Sequence, residues 1–174
     1  DSNDPAQVAR WDEFVAVCAG ATFFHRSGWQ TIVTGTFGHA AFFLYAERDG
    51  VIEGVLPLAQ VKSRLFGNSL ISLPFAVYGG VASSSPEAIA ALESEAQTIA
   101  QTLGVDHLEF RNLTHRHADW PMQDLYVSFR KELQPDVEAN MQAIPRKQRA
   151  MVRKGIKHGL RSEIDTSVDR FFAL

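Results

Sequence analysis

Cysteine is almost missing: the chain of 174 residues has one, Cys18. A lone thiol excludes an intrachain disulfide and any metal site built from several cysteines, and it makes a reducing cytoplasm the simplest setting. Long apolar runs are missing too, and no stretch approaches the roughly 20 residues that span a bilayer as a helix. The polar start lacks the apolar segment of a secretory signal. With 7 prolines, 12 glycines and 45% hydrophobic residues, disordered, collagen-like and coiled-coil chains are ruled out and an ordinary globular domain is expected. One further absence is local. Residues 144–162 hold no Asp or Glu but seven bases: Arg146, Lys147, Arg149, Arg153, Lys154, Lys157 and Arg161. The formal net charge of −3 conceals this, because all 20 acids lie elsewhere. Charge of one sign confined to one segment points to a local anionic partner more than to general nucleic-acid affinity.

What is present reads as helices and strands in turn. Asp4 can cap a helix with Pro5 at its first position, and Val8, Trp11, Val15 and Cys18 recur along one face of it, with Gly20 as a stop. Ser27 reads as the N-cap of a short second helix carrying Trp29, Ile32 and Val33 to about Gly35. Residues 40–48 (AAFFLYAER) and 51–61 (VIEGVLPLAQV) are strands around an Asp49-Gly50 hairpin turn, and 68–73 (NSLISL) is a third strand. After the loop 74–84, Ser85-Pro86-Glu87 opens a long helix whose buried stripe is Ile89, Leu92, Ala96, Ile99 and Leu103. Residues 105–111 (VDHLEFR) and 125–133 (LYVSFRKEL) read as a fourth and a fifth strand, separated by loop. Helical stretches open at Pro135 and Pro145, the second ending at Gly159; residues 160–165 read as a sixth strand and Ser167 begins a further helix. That last amphipathic run is expected to continue, which suggests the front part of a longer protein. The fold class is α/β: an α+β mixed sheet, largely antiparallel through its hairpins, with one parallel crossover and helices on both faces.

Several groups could carry chemistry. On a helix from Pro145, the bases Arg146, Arg149, Arg153 and Lys157 fall along one face, beside an apolar stripe of Ile144, Val152, Ile156 and Leu160 that is expected to dock the helix. Like charges at this spacing repel unless an anion lies among them, and arginine grips phosphate bidentately. The face is therefore a candidate phosphate site, or else a solvated surface. Tyr78-Gly79-Gly80 either lets a substrate approach the backbone closely or is a turn before a short edge strand. Trp29 suits a core position, and His25 suits a neutral hydrogen-bonding or capping role. Glu109 and Arg111 share one strand face and suit an ion pair or a general base. His115, His117 and Asp119 alternate as in some metal sites but lie in a loop without an evident partner; no metal is expected. Cys18 reads as core.

The element order resembles the GNAT acyltransferase fold. Four segments resemble, more specifically, the FemAB-like family of tandem GNAT-like domains: Phe23-Phe24-His25-Arg26-Ser27-Gly28-Trp29; Gly54-Val55-Leu56-Pro57-Leu58; Leu73-Pro74-Phe75 with Tyr78-Gly79-Gly80; and Pro145-Arg146-Lys147-Gln148-Arg149 running to Lys157-His158-Gly159-Leu160. The closest likeness is to the FemAB-related proteins of exosortase (PEP-CTERM) exopolysaccharide systems. The resemblance implies a first GNAT-like domain over residues 1–143, with 144–174 beginning the connection to a second. It implies an acyl or aminoacyl group moved to an amine of a cell-envelope or exopolysaccharide precursor of nucleotide-sugar or lipid-phosphate type. The donor would be acyl-CoA or aminoacyl-tRNA held by the second domain, with no cofactor in this chain, and His25, Trp29, Tyr78, Gly79 and Gly80 would line the acceptor cleft. Two departures stand out. The Q/R-x-x-G-x-G/A loop that binds the CoA pyrophosphate is replaced by Val81-Ala82-Ser83-Ser84-Ser85-Pro86, and the Arg-Gly-Pro run of peptidoglycan-type members is replaced by Tyr78-Gly79-Gly80. No Ser-His-Asp or Cys-His grouping occurs, so no catalytic residue is assigned. The alternative reading is a degenerate GNAT-like module that binds an anionic glycan precursor or RNA without catalysis. One basic helix in an acidic chain is a poor footprint for DNA binding.

Overall fold

The computed structural model describes residues 4–173 apart from Phe66 and Tyr126. These residues divide into two compact units, the first ending at Met122 and the second starting at Gln123. In the first unit, helix α1 (Pro5–Val17) starts at Asp4, whose carboxylate accepts the Ala6 N–H at 3.0 Å. A 3-10 turn (Phe23–His25) and helix α2 (Gly28–Thr31) follow, and α2 widens into a π turn over Ile32–Thr36. The expected second helix is therefore broken into pieces. Ser27 does not cap it either: its amide and hydroxyl both donate to the Asp12 carboxylate, at 2.9 and 2.8 Å, tying this segment back to α1.

Strands β1 (Ala40–Arg48) and β2 (Val51–Ser63) form the hairpin around Asp49 and Gly50, both at positive φ as this turn requires. Strand β2 is long enough to pair twice along its other edge. Its second half pairs with β3 (Gly67–Ile71), and its first half pairs with β4 (Ala82–Ser83). Helix α3 (Pro86–Leu103) then crosses over to β5 (His107–Glu109), which runs parallel to β3. The result is a five-stranded mixed sheet of order β1-β2-β3-β5, with β4 beside β2.

Alternation along β2 sorts its side chains between two faces. Leu56 and Leu58 face α3, joining Leu70, Leu92, Ala96 and Ala100, and the expected stripe residues Ile89, Ile99 and Leu103 pack against them. Val55 joins Trp11 and Val15 of α1 on the opposite face, where Ala59 also meets Val33 and Leu73. A bulge opposite Ala46 and Glu47 adds one residue to β2, which is why Ile52 falls with Val55 in spite of its even number. Each fully buried leucine of this core contributes on the order of 1.5–3 kcal/mol.

The second unit is helical: α4 (Val137–Gln142), α5 (Arg146–Lys157) and α6 (Asp169–Phe172). The fifth and sixth strands expected at 125–133 and 160–165 are absent among the described residues, where neither segment forms a regular element; Tyr126 lies outside those residues, as does Leu174 at the end of the last expected helix. Among the described residues the apolar alternation at 125–133 forms no strand pairing, and Phe129 is 94% exposed. The stripe on α5 is also uncovered, with Ile156 at 64% and Leu160 at 75% exposure. Among the described residues, no helix is long and apolar enough to cross a membrane.

Candidate functional site

The parallel strands β3 and β5 end side by side, and the chain leaves them in two directions. After β3 it turns sharply at Leu73-Pro74-Phe75, where Leu73 (φ 55°) and Phe75 (φ 68°) both occupy the left-handed region. Such residues cost about 1–3 kcal/mol each and persist only where surroundings hold them. Leu73 is held by full burial, and Phe75 by stacking on Phe37 at 4.3 Å between ring centres. After β5 the backbone continues beside this turn. The Ser72 N–H donates to the Glu109 carbonyl at 2.9 Å, and the Arg111 N–H to the Ser72 hydroxyl at 2.7 Å. The N–H groups of Gly79 and Gly80 both donate to the Arg111 carbonyl at 3.1 Å. Between these strand ends and the 3-10 turn lies a cleft of about 220 Å³, lined by His25, Tyr78, Gly80, Arg111, Asn112 and Arg116 among others.

The glycines are required by this closeness. A Cβ on Gly79 would stand 2.6 Å from the Leu73 Cβ and 2.9 Å from the Ser72 carbonyl oxygen, and one on Gly80 would fall on the Asn112 amide. The close approach expected at Tyr78-Gly79-Gly80 is therefore made by the protein's own chain, and the loop leads directly into β4, the short strand of the alternative reading.

His25 forms the floor. It is 2% exposed, and the indole N–H of Trp11 donates to its carbonyl at 2.6 Å. The Thr22 N–H donates to Nδ1 at 3.0 Å, so that nitrogen carries no proton. The proton is on Nε2, which donates to the Gly80 carbonyl at 2.8 Å. Burial pushes the imidazole pKa below its ordinary value, although its backbone hydrogen bonds oppose this. The ring is neutral, saturated and structural, and it does not serve as a base.

Two arginines reinforce the walls. Arg111 donates to the Glu109 carboxylate and to the Ala76 carbonyl, each at 2.7 Å, and Arg116 donates to the Val81 carbonyl at 3.3 Å. The Asn112 Oδ1 is buried without a hydrogen-bond partner. Buried acceptors of this kind are rare in a folded protein, and this one packs against Gly80, where a Cβ would fall on it.

The site residues anticipated from sequence fall in three places. His25, Tyr78 and Gly80 line the cleft, and Gly79 supports it from behind. Trp29 packs instead on Phe23 and Phe24, at 6.0 and 5.7 Å between ring centres. The basic set lies on α5 in the second unit. There Arg149 is committed to its own chain: it donates to Gln142 Oε1 at 2.6 Å and to the carbonyls of Gln142 and Ile144, both at 3.0 Å, closing the end of α4. Arg146, Arg153 and Lys157 are exposed.

No family model and no curated protein matches this chain.

Two features are not evident from the sequence. Asn112, Leu113, Thr114 and Arg116 reach the cleft because the segment after β5 folds back over α3. Glu93, in the middle of α3 and 7% exposed, meets it with Oε2 3.1 Å from His117 Nε2, close in distance but without hydrogen-bond geometry; the His117 ring stacks on Trp120 at 4.6 Å. The signal was present as a lone acid inside an apolar stripe. Among the described residues no group of three His, Cys, Asp or Glu is placed to hold a metal. The N-terminus of α3, expected at Ser85-Pro86-Glu87, is filled by its own residues. The Ala88 N–H donates to the Ser85 hydroxyl at 3.2 Å, and that hydroxyl donates to the Glu87 carboxylate at 3.1 Å. The Glu87 carboxyl is held below its ordinary pKa by its own backbone N–H and by Ser85, so a negative charge already occupies the helix dipole.

Proposed function

We propose that this chain is the N-terminal half of a FemAB-like N-acyltransferase with GNAT-like topology, and that its cleft receives the acceptor. The observation that carries the reading is the position of the cleft. It opens at the carboxyl ends of two parallel strands joined by a crossover helix, which is where open α/β sheets bind ligands. The acceptor is an amine on a nucleotide-sugar or lipid-phosphate precursor, and Asn112 is among the polar residues that line the cleft it would enter. Amide formation from an activated acyl group needs a positioned amine and a polarised carbonyl more than a protein nucleophile. The saturated His25 and the lack of a Ser-His-Asp grouping agree with that. The donor, acyl-CoA or aminoacyl-tRNA, belongs to the second GNAT-like domain, because the α3 N-terminus is filled by Ser85 and Glu87.

A second reading is favoured by the same saturation: every imidazole and guanidinium contact at the cleft is structural, as in a binding module for an anionic glycan precursor or RNA. A transfer assay separates the two. The longer protein is supplied with acyl-CoA or charged tRNA and an amine-bearing nucleotide-sugar, and products are weighed by mass spectrometry. An amide product that is lost in Asn112→Leu supports the transferase. Acceptor binding without any product supports the module.

A further inference from the structure

We infer that α5 is a surface anchor that lies on an anionic lipid bilayer. The inference concerns the second unit and goes beyond the reading of the cleft. At about 100° per residue, Arg146, Lys147, Arg153, Lys154 and Lys157 fall within an arc of about 120°. Met151, Val152 and Ile156 occupy the opposite arc, and all three are exposed, at 66%, 40% and 64%. The 12-residue helix is about 18 Å long; the bases run its length, whereas the apolar side chains are confined to residues 151–156 and share their arc with Gln148 and Gly155. Arg149 lies at the seam between them and is spent on the end of α4, which fixes the helix start instead of contributing free charge.

Each arc alone has an ordinary explanation, and the pair narrows the occupant. A phosphate-only or RNA partner would satisfy the bases and leave the apolar arc in water. A protein interface would bury the apolar arc, but lysine is depleted from such interfaces, and three lysines flank this one. A bilayer surface with acidic headgroups matches both: the apolar side chains enter the headgroup boundary while the bases, with long aliphatic stems, stay at the phosphates. No acid lies between residues 144 and 162 to oppose that contact. The apolar arc has no aromatic residue, so attraction to acidic lipid dominates and attachment is reversible and salt-sensitive.

The test is co-sedimentation of the whole chain with vesicles of phosphatidylcholine alone or with one quarter phosphatidylglycerol. Binding is expected only to the acidic vesicles, falling as salt rises. Each neutralised base is expected to weaken it about fivefold, so that Arg153→Glu with Lys157→Glu weakens it by well over tenfold. Ile156→Asp is expected to weaken it while leaving the circular dichroism spectrum intact, since that side chain is exposed. Ile156→Trp is expected to add blue-shifted emission with acidic vesicles and none with inorganic phosphate. Four results would each overturn the inference: no sedimentation with acidic vesicles, equal sedimentation with neutral ones, indifference to both the charge and the apolar substitutions, or complete displacement from acidic vesicles by an equal mass of tRNA.

Discussion

His25 and Gly80 are joined across 55 positions of sequence by a single hydrogen bond, in which the buried imidazole donates Nε2–H to the glycine carbonyl at 2.8 Å. That bond ties the 3-10 turn after α1 to the strap between β3 and β4, and it sets the depth of the cleft. It also fixes the charge of the ring, because Nδ1 accepts the Thr22 N–H and has no place for a second proton.

A pH dependence of stability follows. In the unfolded chain His25 titrates near its ordinary value of about 6.5, whereas burial lowers that value in the folded chain. Between the two values the unfolded state binds more protons, so stability is full above about pH 6.5, falls as the pH drops from there towards the lowered value, and levels off below it. The slope reaches at most about 1.4 kcal/mol per pH unit. Urea unfolding at pH 7.5 and 5.0 measures it. His25→Gln, which keeps an amide donor but cannot charge, is expected to lower stability at pH 7.5 and to flatten the dependence. An unchanged dependence would place its origin elsewhere.

Gly80→Ala is expected to cost about 1–3 kcal/mol by overpacking, since the new methyl group falls on the Asn112 side chain. Combining it with Asn112→Ala removes the obstacle, so the double variant is expected to recover part of that loss. Denaturant unfolding of the four chains completes the cycle. Purely additive effects would mean that the two residues do not touch.

The Glu93–His117 pair gives a third expectation. His117→Ala strips the partner from a carboxylate that is 7% exposed and is expected to cost about 1–3 kcal/mol. Replacing both residues by leucine removes two buried polar groups with atoms that lack hydrogen-bond partners among the described residues, and is expected to be neutral or stabilising. Thermal unfolding measures both. A double variant less stable than His117→Ala would show that the pair contributes more than its desolvation costs.

Acetyl-CoA is expected not to bind this chain tightly, because Ser85 and Glu87 occupy the donors and the dipole at the start of α3. Isothermal titration measures it. A micromolar dissociation constant, about −8 kcal/mol, would contradict this account of the helix N-terminus.

The local elements were legible where a single residue type forces the backbone. Asp4-Pro5 and Ser85-Pro86 opened their helices, Asp49-Gly50 turned the hairpin, and Gly104, at φ 57°, ended α3. Reading failed where the outcome depends on distant partners. The alternation in 125–133 is as strand-like as that in 40–48, yet only the latter has a neighbour such as β2 to bond with. Two residues at β4 pair because β2 overruns β3, which no local pattern reveals. At the cleft, His25, Tyr78 and Gly80 were visible as unusual residues in short motifs. Asn112 and Arg116 were not, since only the return of the chain after β5 brings them to the same place.

Whether the cleft receives the amine of a phosphate-linked sugar is measured by amide-resolved NMR titration of this chain with UDP-glucosamine, which carries a free amine. The account predicts saturable shifts at Gly20, His25, Tyr78, Gly80, Asn112 and Thr114, and their loss in Asn112→Leu. Shifts confined to residues 146–157, or none at all, would contradict it.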